Sequence, residues 1–378
     1  MTRRERLLAT LRGEPVDRPA VSFYEIGGFA VNPDDPNPYN IYNDPSWRPL
    51  LELAENQTDL IWMRGPAHKA VAPDLHKRHF RTDTWDEGLT RWTRTTVMVG
   101  GRALTCLARR DAAVSTDWGV EHLLKSVADL EAYLQLPDEL FQATIDVAPL
   151  WKADAEIGDR GIVMVDTGDP ICAAAGLFSM EDYTVIALTE PALFHRLLEK
   201  FARAMYPQTE AVAAGFPGHL WRIYGPEYAS EPYLPPRLFE EYVVRYTGPM
   251  VAMIQKHGGF ARIHCHGRLR NILPHIAAMG AVGLDPIEPP PQGDVTLAEV
   301  REQYGRQMVL FGNIESSDLE NLGAAEFEVK VRTALREGTA GQGPGLVLMP
   351  SAAPYGRTIT PRTLANYQTM VRLATTWR

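Results

Sequence analysis

The chain has 378 residues, 45% of them hydrophobic and 22% charged, and a formal net charge of −9. That length supports one large core or two modest ones, and the acidity argues against a nucleic-acid or anionic-membrane partner. No apolar run is long enough to cross a membrane, and the start (MTRRER) has no signal-like apolar stretch, so a cytoplasmic protein is expected. The three cysteines, Cys106, Cys172 and Cys265, are scattered and give neither a disulfide framework nor a CxxC pair.

The first residues read as a helical extension. Eight short apolar runs then alternate with longer helical patterns. They are 19–25 (PAVSFYE), 58–63 (TDLIWM), 161–166 (GIVMVD), 219–225 (HLWRIYG), 260–266 (FARIHCH), 281–287 (AVGLDPI), 308–314 (MVLFGNI) and 345–351 (GLVLMPS). Eight strands with helical connections predict a single α/β domain over 1–378, a (β/α)8 TIM-type barrel with an N-terminal extension. Residues 83–110 alternate between the turn signals Glu87-Gly88 and Gly100-Gly101, which predicts a β-hairpin inserted after strand 2 (about 74–120) and lying over the barrel mouth. Among the helices, Pro236 opens one reaching Lys256 and closed by Gly258, another spans 268–279, Thr296 with Glu299 opens a third, and 361–373 forms the last.

In such barrels the chemistry lies at the C-terminal strand ends. Strand 5 ends in His264-Cys265-His266. Side chains alternate along a strand, so the imidazoles face one way and Cys265 the other. Glu288, at the end of the next strand, is within reach of an ion held by its neighbour. His264, His266 and Glu288 are therefore expected to bind a divalent metal with open positions. A hydrogen-bonded histidine pair without metal is the alternative, and Glu288 can equally end its strand before Pro289-Pro290-Pro291. Asp294 is placed to cap the following helix. Glu227 and Asp169 are candidate catalytic acids, while Tyr24, Tyr224 and Asn313 are candidate substrate contacts, with Tyr228 and Trp62 adding an aromatic wall. Helix caps and core packing compete for each of them. Cys172, in ICAAAG, reads as a packed small residue.

The opening RRERLLATLRGEPVDRPAVSFYE, the segment EPYLPPRLFEEYVVRYTGPMVAMIQKHGG followed by IHCHG, the GNI at Gly312 and the ending LMPSAAPYGRTITPRTLANYQTMV resemble the uroporphyrinogen decarboxylase superfamily over nearly the whole chain. The resemblance implies a (β/α)8 barrel and two branches. VSFYEIGGF stands where the decarboxylase branch carries an arginine-rich segment, which favours the corrinoid-dependent methyltransferase and O-demethylase branch. That branch binds zinc through His-x-Cys and a late cysteine. Here His264 matches, His266 replaces the cysteine, and Ser351-Ala352 stands at the late position; Glu288 looks like the glutamate ligand of the related cobalamin-independent methionine synthase. The resemblance thus implies a methyltransferase that moves a methyl group from a small methoxylated donor to a corrinoid (cobalamin) protein partner. In it a metal, zinc in the family, would polarise the ether oxygen while Glu227 or Asp169 assists protonation; a homodimer is compatible with such barrels. A decarboxylase-like lyase gripping a carboxylate with Arg64, Arg222, Arg268 or Arg357, and a non-catalytic barrel that binds a corrinoid partner, are the rival readings.

Overall fold

The computed structural model describes residues 1–378 apart from the side chain of Tyr24. The barrel strands are β1 (Ala20–Val21), β2 (Leu60–Arg64), β3 (Gly161–Gly168), β4 (Leu220–Tyr224), β5 (Phe260–Cys265), β6 (Gly283–Pro286), β7 (Val309–Ile314) and β8 (Leu346–Pro350). They form one parallel sheet in the order β1-β8-β7-β6-β5-β4-β3-β2. Across the β1/β2 seam the Asp59 N–H donates to the Val21 carbonyl at 2.7 Å. Helices between the strands complete the (β/α)8 barrel predicted from the alternation of patterns.

The strand period sorts side chains into two layers. Ile61, Met164, Val309, Phe311, Val347 and Met349 point inward and form a core of their own. Leu7 and Leu11 of the first helix, α1 (Arg3–Arg12), belong to the same cluster. The N-terminal extension is thus a plug packed against the barrel interior, and each buried leucine stabilises it by about 1.5–3 kcal/mol. Thr2 and Glu5 close the start of α1 with a reciprocal capping box. Outward residues, including Trp62 and Cys265, pack against the helices in a second, larger core. Trp62 lies under the guanidinium groups of Arg64 and Arg160, so it does not wall the mouth.

The insertion after β2 is larger than a hairpin. Phe80–Glu87, Thr90–Val99, Arg102–Asp111 and Asp117–Glu121 make a four-stranded antiparallel sheet, and Ala67–Ala70 pairs with Ala143–Asp146. The tight turn at Gly88 (φ +62°) is the one read from the sequence. The last strand, DWGVE, is short and exposed and lacks an alternating pattern. The sheet is tied to the loop after β8: Val114 bridges Gly356, and Arg357 donates to the Ala112 carbonyl at 2.8 Å.

The helix from Pro236 to Lys256 is continuous, with a π turn over Glu240–Val244, and it stops before Gly258 (φ +73°). The predicted helix 268–279 is shorter, Leu273–Ala278. Its first residues are held instead by Asp294, whose Oδ1 accepts the N–H groups of Leu269 (2.8 Å) and Arg270 (3.1 Å). Asp294 therefore fastens the loop after β5 and does not cap its own helix. Thr296 does that, in a capping box with Glu299.

Candidate active site at the carboxyl ends of the strands

Cross-strand register assembles the site. Tyr224 lies opposite His264, and His264 opposite Asp285. The His264 ring, 3% exposed, meets the Asp285 carboxylate at 2.7 Å through Nδ1. Arg262, two residues earlier on the same inward face, places Nε 2.9 Å from the other Asp285 oxygen. Burial pushes the Asp285 carboxyl up, but Arg262 and His264 outweigh it and hold it far below the usual carboxylate range. Asp285 is a site residue to which the sequence pattern assigns no role. Its only signal was the pairing register, which no sequence displays.

His266 lies just past the end of β5, 38% exposed at the side chain, with its ring centroid 4.6 Å from that of His264. Its Nδ1 is 2.9 Å from Glu288 Oε1, while Glu288 Oε2 accepts the Gly267 N–H at 2.7 Å. Burial alone would lower the His266 pKa, yet the hydrogen bond and charge of Glu288 raise it above the ordinary histidine value. Burial likewise opposes ionisation of Glu288, and His266 reverses it, so the carboxyl sits below its ordinary value. Each member of the pair thus favours the charged form of the other.

His264, His266 and Glu288 thus meet at the rim, but not as three donors around one point. Both Glu288 oxygens are committed, one to His266 and one to Gly267. Among the described residues no group of three or more His, Cys, Asp or Glu side chains is arranged to hold a metal ion. The donors present therefore do not fit the three-ligand metal centre expected from the sequence. Each imidazole instead has Nδ1 backed by its own carboxylate, which fixes the orientation of the ring.

Asp169 is fully buried and caps the helix Pro170–Ala175 through Oδ1, while Oδ2 accepts from the Thr247 hydroxyl at 2.8 Å. Burial raises its carboxyl to about 7. With both oxygens committed it positions a helix, and the adjacent Cys172 is a half-buried thiol pushed up by burial. Glu227 Oε2 accepts the Gly225 N–H at 3.0 Å and braces the turn after β4. Tyr224 packs on Gly168, where a Cβ would come within 3.2 Å of its ring, and lies beneath the Arg222 guanidinium. Tyr228 accepts from the Tyr183 hydroxyl through its carbonyl. Asn313 donates to the Ile287 carbonyl at 3.2 Å. The side chain of Tyr24 lies outside the described residues. Glu315, which follows β7, was not singled out by the sequence. It is 6% exposed, receives the Ser351 hydroxyl at 3.3 Å, and is raised to about 7 by burial and then by the negative charge of Glu288.

The family model described as uroporphyrinogen decarboxylase (URO-D) matches residues 119–377. Among solved structures, a methyltransferase from Methanosarcina mazei aligns over 99% of this chain and 98% of its own, with a TM-score of 0.61 and 16% identity, and shows the fold. A Bacteroidetes-affiliated GH5 cellulase aligns over 64% of this chain and 77% of its own at a TM-score of 0.36 and 10% identity. The tandem GH20 modules of the pneumococcal exo-β-D-N-acetylglucosaminidase StrH align over 97% and 86% at 0.37 and 9%. Both are too distant to inform the site. No curated protein matches the chain.

Proposed function

The chain belongs to the uroporphyrinogen decarboxylase family, and from that premise we propose that it is a methyltransferase-type enzyme that takes a methyl group from a small methoxylated donor. The acceptor in this reading is a soft nucleophile, a reduced corrinoid carried by a partner protein. The observation that carries the proposal is the His266–Glu288 ion pair at the strand ends, beside the buried chain Arg262–Asp285–His264. The M. mazei methyltransferase of the same fold supports the reading by analogy alone.

Cleaving a methyl ether by displacement leaves the C–O electron pair on oxygen, while the acceptor supplies the pair that binds the methyl carbon. The departing oxygen then needs a proton. His266, whose hold on a proton Glu288 strengthens, can deliver it in its protonated form to that oxygen and recover one from water, since its ring is partly exposed. Protonation thus falls to His266, whereas Asp169 and Glu227 hold backbone and hydroxyl groups in place. His264 is fixed by Asp285 and packs its ring against that of His266. With Glu288 committed to His266, no step is routed through a metal.

The lyase reading requires cations at the mouth to grip a carboxylate. Arg64 donates to the Gly28 and Met63 carbonyls, Arg357 to carbonyls of Pro38 and Ala112 and to Asn43, and Arg222 faces Asp166 at 3.0 Å. Protein groups already engage these three cations, which leaves the grip on a carboxylate to the exposed Arg268 among the four candidates.

The test is to incubate the full chain with 2-methoxyphenol and reduced cobalamin and to follow methylcobalamin by absorbance. Methyl transfer is expected from the native protein, with a loss of roughly 10²–10⁴-fold in His266→Ala. An unchanged rate in that variant removes His266 from the chemistry, and release of carbon dioxide from a carboxylated analogue in place of methyl transfer replaces this reading with the lyase.

A further inference from the structure

Two buried carboxylate oxygens of the rim lack a hydrogen bond among the described residues, Asp285 Oδ1 and Glu315 Oε1, and Asp285 Oδ1 is met by the Arg262 guanidinium at 2.9 Å. Glu315 follows the end of β7, where its carboxyl is close enough to Glu288 and His266 to feel their charge. Its Oε2 receives the Ser351 hydroxyl at 3.3 Å, and Ser351 is itself held by accepting the Ser316 N–H at 3.1 Å. A hydroxyl has one proton, so Ser351 has nothing further to give. Glu315 Oε1 is buried and meets no hydrogen-bond donor among the described residues. A buried acceptor left in this state is destabilising, more so when charged. A well-packed protein retains such a group where a ligand completes it.

We propose that Glu315, held by Ser351, is a substrate-recognition residue whose Oε1 accepts a hydrogen bond from an O–H group of the donor, so that the enzyme takes hydroxyl-bearing methoxy compounds in preference to fully etherified ones. The subsite rests on the rim being the substrate site of the methyl-transfer reading. The raised carboxyl of Glu315 has the sign expected of an acceptor short of donors. A group on a rigid strand end, 6% exposed, is suited to discrimination, because a site built to bond a hydroxyl penalises the analogue without one.

The experiment is calorimetric binding of phenol and of its methyl ether, anisole, to the full chain at mildly alkaline pH. Phenol is expected to bind about tenfold or more tightly than anisole. Glu315→Ala is expected to abolish that preference while the protein resists urea at least as well as the native chain, since an incompletely bonded buried carboxylate has been removed. Glu315→Gln, which keeps the shape and weakens the acceptor, is expected to give an intermediate preference. Equal affinities in the native chain, a preference that survives in Glu315→Ala, absence of phenol binding up to about 10 mM, or clear destabilisation of Glu315→Ala each overturns the proposal. A phenol preference that depends on Glu315 in a protein that moves no methyl group leaves the subsite standing and removes the transfer reading. Methyl transfer with equal binding of the two probes does the reverse.

Discussion

The two ends of the barrel each bury a cluster of charge, and the clusters are finished differently. Beneath the barrel, the fully buried Asp59 takes Arg6 on one oxygen at 2.7 Å and Arg18 on the other at 2.8 Å, and the Val21 N–H completes it at 2.9 Å. All of these contacts join α1 and the first two strands, so the cluster fastens the plug to the seam of the barrel. At the opposite end, Asp285 and Glu288 are also paired, but with the histidines His264 and the partly exposed His266, and Glu315 keeps an oxygen without a hydrogen bond among the described residues. A closed ionic cluster holds structure, and an open one is available to a ligand. In barrels of this type the N-terminal end serves stability and the C-terminal end chemistry. This chain makes the division with the same residue types at both ends.

The comparison breaks most visibly at the lower end. Asp59→Ala removes the acceptor shared by the buried Arg6, which keeps Asp17, and the half-buried Arg18, and is expected to cost about 3 kcal/mol in urea unfolding, the lower end of what breaking a buried pair costs. The fraction that stays folded should keep its activity, and a selective loss of activity at unchanged stability would erase the distinction between the ends.

At the rim the ordering of effects inverts. Glu288→Gln should lower stability by less than Asp59→Ala does, and slow turnover by roughly 10–100-fold, a part of what general acid catalysis contributes. The pH dependence has a definite sign. Glu288 raises the pKa of His266, so the imidazolium, and the stabilisation that the pair provides, are complete below the ordinary histidine value and fade as pH rises through the higher folded value. In Glu288→Gln the descending limb of the pH–rate profile should therefore move to lower pH. A limb that stays in place assigns it to another group.

Smaller effects sharpen the picture. Thr2→Ala, which removes half of the capping box of α1, should cost about 1 kcal/mol with no change in turnover. Added zinc is expected to move the unfolding free energy by less than about 0.5 kcal/mol, the scale of a neutral surface change. A shift near 2.7 kcal/mol at a hundredfold excess over the dissociation constant, lost in His266→Ala, would show that Glu288 turns to a metal and restore the three-ligand centre.

Much of this molecule is written in local pattern. Alternating apolar runs and helical periods foretold eight strands, the helix ending at Gly258, the capping box at Thr296 and the turn at Gly88, because each depends on residues within one or two turns of one another. The inward pairing of His264 with His266, and the outward burial of Cys265, follow from the strand period alone. The hairpin was legible by its turns, but its enlargement to four strands was not, since DWGVE owes its strand to pairing and not to its own pattern.

The sequence by itself determined the barrel, its N-terminal helical extension and the end at which ionisable groups gather. Only the tertiary structure decided how those groups pair. Asp285, not Glu288, answers His264, because the β5–β6 register sets them side by side. Glu288 answers His266 because the chain after β6 brings it back to Gly267. Asp169 and Asp294 turn away to fasten a helix and a loop. Which oxygen meets which nitrogen is fixed to within an ångström by register and loop path, and neither is encoded in the identity of a residue or in its neighbours along the chain.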